Sequence, residues 1–183
     1  MAKKCNGIVA TIRKLNFPRD TTKLLIETLM FPVIRNCLPV WAPRTQAQRK
    51  RIDKALNFAI RTISGLRKYD HITQARKDLG WMSFDRMVDM RDVQRVHHML
   101  WNSDGSQRLR SLIETRAQVS RRQTRATADE SLLNASKCRL QATKMSFPHR
   151  AVAAWNRLPS EARMSRKAIF KRKTNAIMSA VSK

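Results

Sequence analysis

Asp85, Asp89 and Asp92 recur at helical spacing, so they would line one side of a helix. Carboxylates grouped in this way could hold a divalent metal ion or serve as acid and base. Arg86, Arg91 and Arg95 interleave with them, and ion pairs along the helix account for all three without any chemistry. His97 and His98 follow on the same stretch and read as a helix-surface pair rather than ligands or acid–base groups. Cys5, Cys37 and Cys138 form an odd, scattered set with no C-x-x-C, so no disulfide framework is implied and a reducing compartment fits. Together with His71, His97, His98 and His149 they show no zinc-ligand spacing, Cys138 and His149 being the nearest pair. These residues predict no catalytic group, no metal site and no cofactor.

What remains for chemistry is positive charge. The 183 residues include 38 Lys and Arg against 13 Asp and Glu, a formal net charge of +25. Solubility needs far less, and the excess points to a polyanionic partner. Nucleic acid is the first candidate and an anionic membrane surface the second. No apolar run is long enough to span a bilayer. The start, Met-Ala-Lys-Lys-Cys-Asn-Gly, lacks the apolar core of a signal peptide. The expectation is an intracellular protein of nucleus or cytoplasm with no membrane partner. The charge is uneven: residues 1–105 hold 20 basic and 9 acidic residues, and residues 106–183 hold 18 and 4.

The elements that must carry these charges follow from periodicity. Residues 4–16 predict a short helix with Ile8, Ile12 and Leu15 on one side. After Phe17-Pro18, Asp20 or Thr21 can cap a second helix, with Leu24, Leu25, Thr28, Leu29 and Val33 on one face and a kink or end at Pro32. Cys37 to Pro43 read as an apolar, proline-rich turn with Trp41 as a core anchor. Thr45 to Gln48 form a capping box that opens an amphipathic helix. Its buried stripe is Ile52, Leu56, Ala59, Ile60 and Ile63, and Gly65 closes it. Arg44, Arg49, Lys50, Arg51, Lys54 and Arg61 lie mostly off that stripe. Residues 71–79 predict a short helix closed by Gly80, and Ser83 caps a longer one to about Trp101, with Phe84, Met87, Val88, Val96 and Leu100 inward. Asn102 to Gly105 mark a turn and a subdomain boundary. Leu109, Leu112 and Ile113 suggest one more helix.

Residues 115–146, rich in Ser, Thr and Arg, read as a loop with a short hairpin, ordered mainly on contact with a partner. Phe147, Ala151, Val152 and Trp155 then give one apolar helix face, ended by Asn156-Arg157-Leu158-Pro159. Ser165 can cap a last helix that carries Ile169, Phe170, Ala176 and Ile177. Arg150, Arg157 and Arg163 belong to the basic rim of this corner.

Several of these stretches carry a resemblance. The C-terminal F-x-x-R-A-V-A-A-W-N-x-L-P, followed by a helix containing F-K-R-K, resembles the end of reverse transcriptases from LINE-type (non-LTR) retrotransposons, the jockey-like and RTE-like elements broadly. L-M-F-P-V-I-R-N-C-L-P-V-W-A-P resembles that family's leucine-rich helix and its V-W-x-P turn, and R-T-I-S-G-L the end of its next helix. Leu79-Gly80-Trp81-Met82-Ser83-Phe84 is similar to its L-G-W-x-S-L/F element, and Cys5-Asn6-Gly7 stands where a Cys-x-Gly often occurs. The likeness runs from Cys5 to Lys173 and is weakest over 106–146.

The resemblance implies thumb helices plus a C-terminal segment, parts that grip a template–primer duplex. Polymerisation needs the metal-binding aspartates of a Y/F-x-D-D turn. No Asp-Asp occurs here, and no fingers, palm, endonuclease or zinc knuckle is recognisable. The expected fold is mainly α: a thumb-like helical bundle over 1–105, a basic linker over 106–146, and a helical segment over 147–183 that packs back on the bundle.

The expected function is non-catalytic, sequence-independent binding of RNA, DNA or their hybrid through backbone phosphates. The residues for it are Arg49, Lys50, Arg51 and Lys54 in the capped helix, Arg121, Arg122 and Arg125 in the linker, and Arg166, Lys167, Lys171, Arg172 and Lys173 at the end. The missing palm and fingers of a parent polymerase are a second partner. Two other readings stay open: a decayed reading frame without selected function, and a host basic protein of ribosomal or chromatin type.

Overall fold

The first helix, α1 (Ala2–Lys14), buries Cys5, Val9 and Ile12, which lie one turn apart on one face. Ile8 is half-buried, and Leu15, expected on the inner side, lies past the last turn and is exposed. The computed structural model describes residues 1–36, 38–42, 45–101, 107, 111–119 and 129–180. These are mainly helical, as the periodicity predicts, with no strand among the described residues. Their internal contacts divide them into two units, Met1–Met87 and Val88–Val181. The Asn102 to Gly105 turn lies outside the described residues.

In the first unit, α2 (Arg19–Arg35) turns inward a face rotated from the expected one, with Leu25 and Val33 half-buried at its edge. Thr22, Ile26, Met30, Phe31 and Ile34 are buried, while Leu24 and Leu29 are 60% and 50% exposed. The helix is apolar on both sides, so its period alone does not choose. Neither Asp20 nor Thr21 caps it; Pro18 holds that position, and the Thr22 hydroxyl donates to the Phe17 carbonyl at 3.1 Å. The helix continues through Pro32 and ends one turn later, at Asn36. A single turn, α3 (Leu38–Trp41), follows. Trp41 is half-buried rather than a core anchor; its Nε1–H donates to the Asn36 carbonyl at 2.6 Å.

Helix α4 (Gln46–Ser64) matches its expected stripe, with Ile52, Leu56, Ala59, Ile60 and Ile63 all buried. Each large side chain buried there contributes about 1.5–3 kcal/mol. That outweighs the few tenths by which isoleucine disfavours a helix. The Thr45 hydroxyl accepts the Gln48 N–H at 3.4 Å, one arm of the expected box, and Gly65 ends the helix at φ +66°. Helices α1, α2 and α4 pack pairwise, and α5 (Thr73–Asp78) packs on α4 and leads to Gly80, again at φ +66°. Trp81 then enters the core, packs its ring at a tilt against Phe31 and donates its Nε1–H to Glu27 at 2.9 Å.

Helix α6 (Phe84–Trp101) starts in the first unit and continues in the second. Phe84, Met87, Val88 and Val96 are buried as expected, but Leu100 is exposed. Among the described residues, four short or medium helices follow: α7 (Arg116–Val119), α8 (Gln141–Lys144), α9 (Phe147–Asn156) and α10 (Ser160–Arg163). The last is α11 (Lys167–Ala180). The second core joins Val93, Val96 and Met99 of α6 to Ile113, Leu133, Trp155, Leu158 and Phe170.

The segment around Leu133 departs from the expected partner-dependent loop. Leu133 is fully buried and forms an antiparallel bridge with Thr115. On its other side the Asn156 amide acts as a second strand would: Oδ1 accepts the Leu133 N–H at 3.0 Å and Nδ2 donates to its carbonyl at 2.9 Å. Trp155 Nε1–H donates to the Ser131 carbonyl at 2.8 Å, and Arg163 holds the Ser131 hydroxyl and the Asp129 carboxylate. The W-N-x-L-P stretch is therefore the clamp for an extended segment some two dozen residues upstream. At the last helix, Ser165 does not cap: its hydroxyl donates to the Ala162 carbonyl at 2.6 Å. Phe170 and Thr174 form the buried side of α11, with Ile177 and Met178 partly buried, while Ile169 and Ala176 are exposed.

Candidate nucleic-acid interface

Asp85, Asp89 and Asp92 of α6 each meet an arginine, and these partners come from distant parts of the chain. Asp85 takes Arg49 of α4 at 2.6 Å. Asp92, with no exposed surface, takes Arg150 of α9 through two bonds, and Arg150 also donates to the Met145 carbonyl. Asp89 meets the largely exposed Arg157 at 3.7 Å, a surface pair worth little. Among the described residues, no group of three or more His, Cys, Asp or Glu is placed to hold a metal ion. None of their helices is long and apolar enough to cross a membrane.

These pairs also remove arginines from the expected surface. Arg49 is buried against Asp85, so it is not part of an open basic face. Arg150 and Arg163 are likewise buried, not on the rim of the C-terminal corner. A buried guanidinium has to be paired, and each of the three has its carboxylate.

The remaining cations form two sets. Lys50, Arg51 and Lys54 are exposed on α4, away from its buried stripe. In the second unit Arg166, Lys167, Lys171 and Arg172 are exposed at the start of α11. Lys173 is half-buried and turns its ammonium toward the Glu161 carbonyl at 3.4 Å. Arg121, Arg122 and Arg125 lie outside the described residues. Among the described residues, none of the seven exposed cations makes an ion pair. Lys50 and Lys54, and Lys167 and Lys171, are like charges one helical turn apart, each pair costing about 0.2–0.5 kcal/mol. No acidic residue stands in the first turn of α11 to answer the helix dipole. An anion bound there would relieve both penalties.

Other titratable groups serve the fold. Asp53 caps α6 by accepting the Phe84 N–H at 3.2 Å; burial pushes its carboxyl up, against that bond and the Arg76 charge. The hydroxyl of Ser131, with Arg163 adding to it, holds the Asp129 carboxyl below its usual range. His97, expected at the surface, is buried. Its ring stacks on Phe170 at 4.0 Å, and its Nε2–H donates to the Ser165 carbonyl at 2.9 Å. Burial lowers its pKa below the ordinary imidazole value, with His98 and Lys167 adding to the effect. Trp155 is 1% exposed, so it offers no stacking surface. Missed at the sequence level were Arg13, Arg67 and Lys68, cations gathered around one concavity of the first unit. They come from the end of α1 and the turn after α4, and no periodicity groups them. Family models, curated proteins and solved structures yield no match to this chain.

Proposed function

We propose that the chain is a non-catalytic module of LINE-type reverse-transcriptase descent that binds RNA, DNA or their hybrid through backbone phosphates without sequence preference. The observation that carries this reading is the division of charge. Asp53, Asp85, Asp89, Asp92 and Asp129 are engaged by arginines inside the chain, whereas seven exposed cations on α4 and α11 have no carboxylate among the described residues. Fields of this kind attract polyanions and say nothing of base order.

The test is a salt series with a hybrid and with duplexes of unrelated sequence. On duplex DNA, log K falls with log salt at a slope of about −0.9 per neutralised phosphate. Lys171→Ala combined with Arg172→Ala should weaken binding to all sequences alike and make the slope shallower by about 0.9 per lost contact. Tight binding that ignores salt, or strong preference for one sequence, would overturn the reading.

A further inference from the structure

The end of α1, the middle of α4 and the turn after α4 meet around an open cavity of about 560 Å³ in the first unit. Arg13, Lys54, Arg61, Arg67 and Lys68 line it, with no carboxylate among the described lining residues. Two of these cations answer to helix ends. Arg13 and Arg61 stand in the last turns of α1 and α4, where the dipole favours them. Arg61 is also pinned, donating to the Arg67 carbonyl at 3.1 Å and to the Asp70 carbonyl at 3.4 Å. The other three stand off the last turn of either helix, and the Asp70 carboxylate, in the turn after α4, accepts the Arg67 backbone N–H at 2.7 Å. Lys54 is mid-helix, Arg67 and Lys68 follow the helix end, and none of them makes an ion pair among the described residues. Like charges around one hollow repel, and an anion in the hollow converts that repulsion into binding.

Size and an adjoining ring narrow the ligand. The volume suits a small ligand of one or two nucleotides, and a duplex does not enter a hollow of this scale. Tyr69, the only tyrosine in the chain, follows Lys68 and is 87% exposed. The Lys68 ammonium lies 5.4 Å from its ring centre, which ties the ring to the cationic lining. An exposed ring beside a cationic groove is the arrangement that holds single strands: phosphates on the cations, a base on the ring.

We infer that this cavity is a single-strand site, with Lys54, Arg67 and Lys68 on the phosphates and Tyr69 stacking one base. The inference rests on the nucleic-acid reading above and adds to it a place and a strandedness. The experiment uses the full chain with a labelled oligouridylate and a labelled duplex. Tyr69→Ala should weaken single-strand binding roughly 5- to 150-fold and leave duplex binding as in the parent. Arg67→Glu with Lys68→Glu should show the same selectivity, and all three side chains are exposed, so these variants keep the fold. A strand carrying 5-iodouracil should cross-link to Tyr69 on irradiation. If these variants bind single strands like the parent, the site is wrong while phosphate binding stands. If they lose single-strand and duplex binding equally, the strandedness is wrong. A nucleoside triphosphate that binds as tightly as the strand would move the ligand to a small molecule. A parent protein that binds neither strand nor duplex sinks this inference and the proposed function together.

Discussion

The two units reach stability by different routes. In the first, α1, α2 and α4 satisfy their own backbone hydrogen bonds and need only an apolar face from each neighbour. In the second, the turn and bridge stretch at Asp129–Asn134 has no helix to satisfy it; the backbone at Glu114 and Arg116 takes up some of its groups and named side chains take up others, Asn156 on Leu133 and Trp155 on Ser131. A helix bundle tolerates any side chain of suitable size and polarity on the right face. An irregular buried segment tolerates few, because each unmet N–H or C=O costs about 1–3 kcal/mol. Cations do not follow that division: each unit buries paired arginines, Arg49 in the first as well as those of the second, and each exposes others. Arg150 and Arg163 are buried joints of the second unit, and Lys50, Arg51 and Lys54 stand clear of the first unit's core.

That contrast breaks first at Trp155. Replacing it by alanine removes the largest fully buried side chain of the second core and the bond to Ser131, an expected loss of about 3–5 kcal/mol by urea titration. A melt like the parent's would mean the ring is not in the core. Asn156→Ala comes next, at about 1–3 kcal/mol, with amide exchange at Leu133 accelerated and exchange in α4 unchanged. Equal loosening of both units would show that the clamp is not local.

A smaller effect comes from pH. The folded pKa of His97 lies below its unfolded value, so folding favours the neutral ring. Its contribution is fully present above the unfolded value near 6.5 and is lost as pH falls toward the folded one. Stability should therefore drop as pH falls below about 6.5, and His97→Gln should flatten that drop. An unchanged profile would acquit His97. The smallest effect on stability belongs to the Lys171→Ala and Arg172→Ala pair, within about 0.5 kcal/mol.

Much of the first unit was legible because its signals are local. Thr45, the isoleucine stripe and Gly65 specify α4 from within the helix and its two caps. The inner face of α2 was not, since Leu24 and Leu29 compete with Ile26 and Met30 for the core and only the neighbouring helices decide. In the second unit the apolar face of Trp155 was legible, but the partners of Asn156, Arg150 and Arg163 were not. Those partners lie 23 to 58 residues away in the chain, beyond any helical period. The same limit hid His97: a paired histidine on a charged helix looks solvated until Phe170 covers it. Of the expected interface, the exposed lysines and arginines of α4 and α11 were legible from charge. Arg49 was not, because its carboxylate sits 36 residues downstream.

The Asn156 clamp makes the fold sensitive to a single atom. An aspartate there would keep the shape and the bond that Oδ1 accepts, but it would set a second acceptor against the Leu133 carbonyl in place of the Nδ2–H donor. Hydrolysis of that amide as the protein ages would turn an attraction into a repulsion inside the second core, with almost no change in volume. The second letter of the W-N-x-L-P stretch thus encodes a hydrogen-bond polarity rather than a size, and an isosteric replacement is not a conservative one.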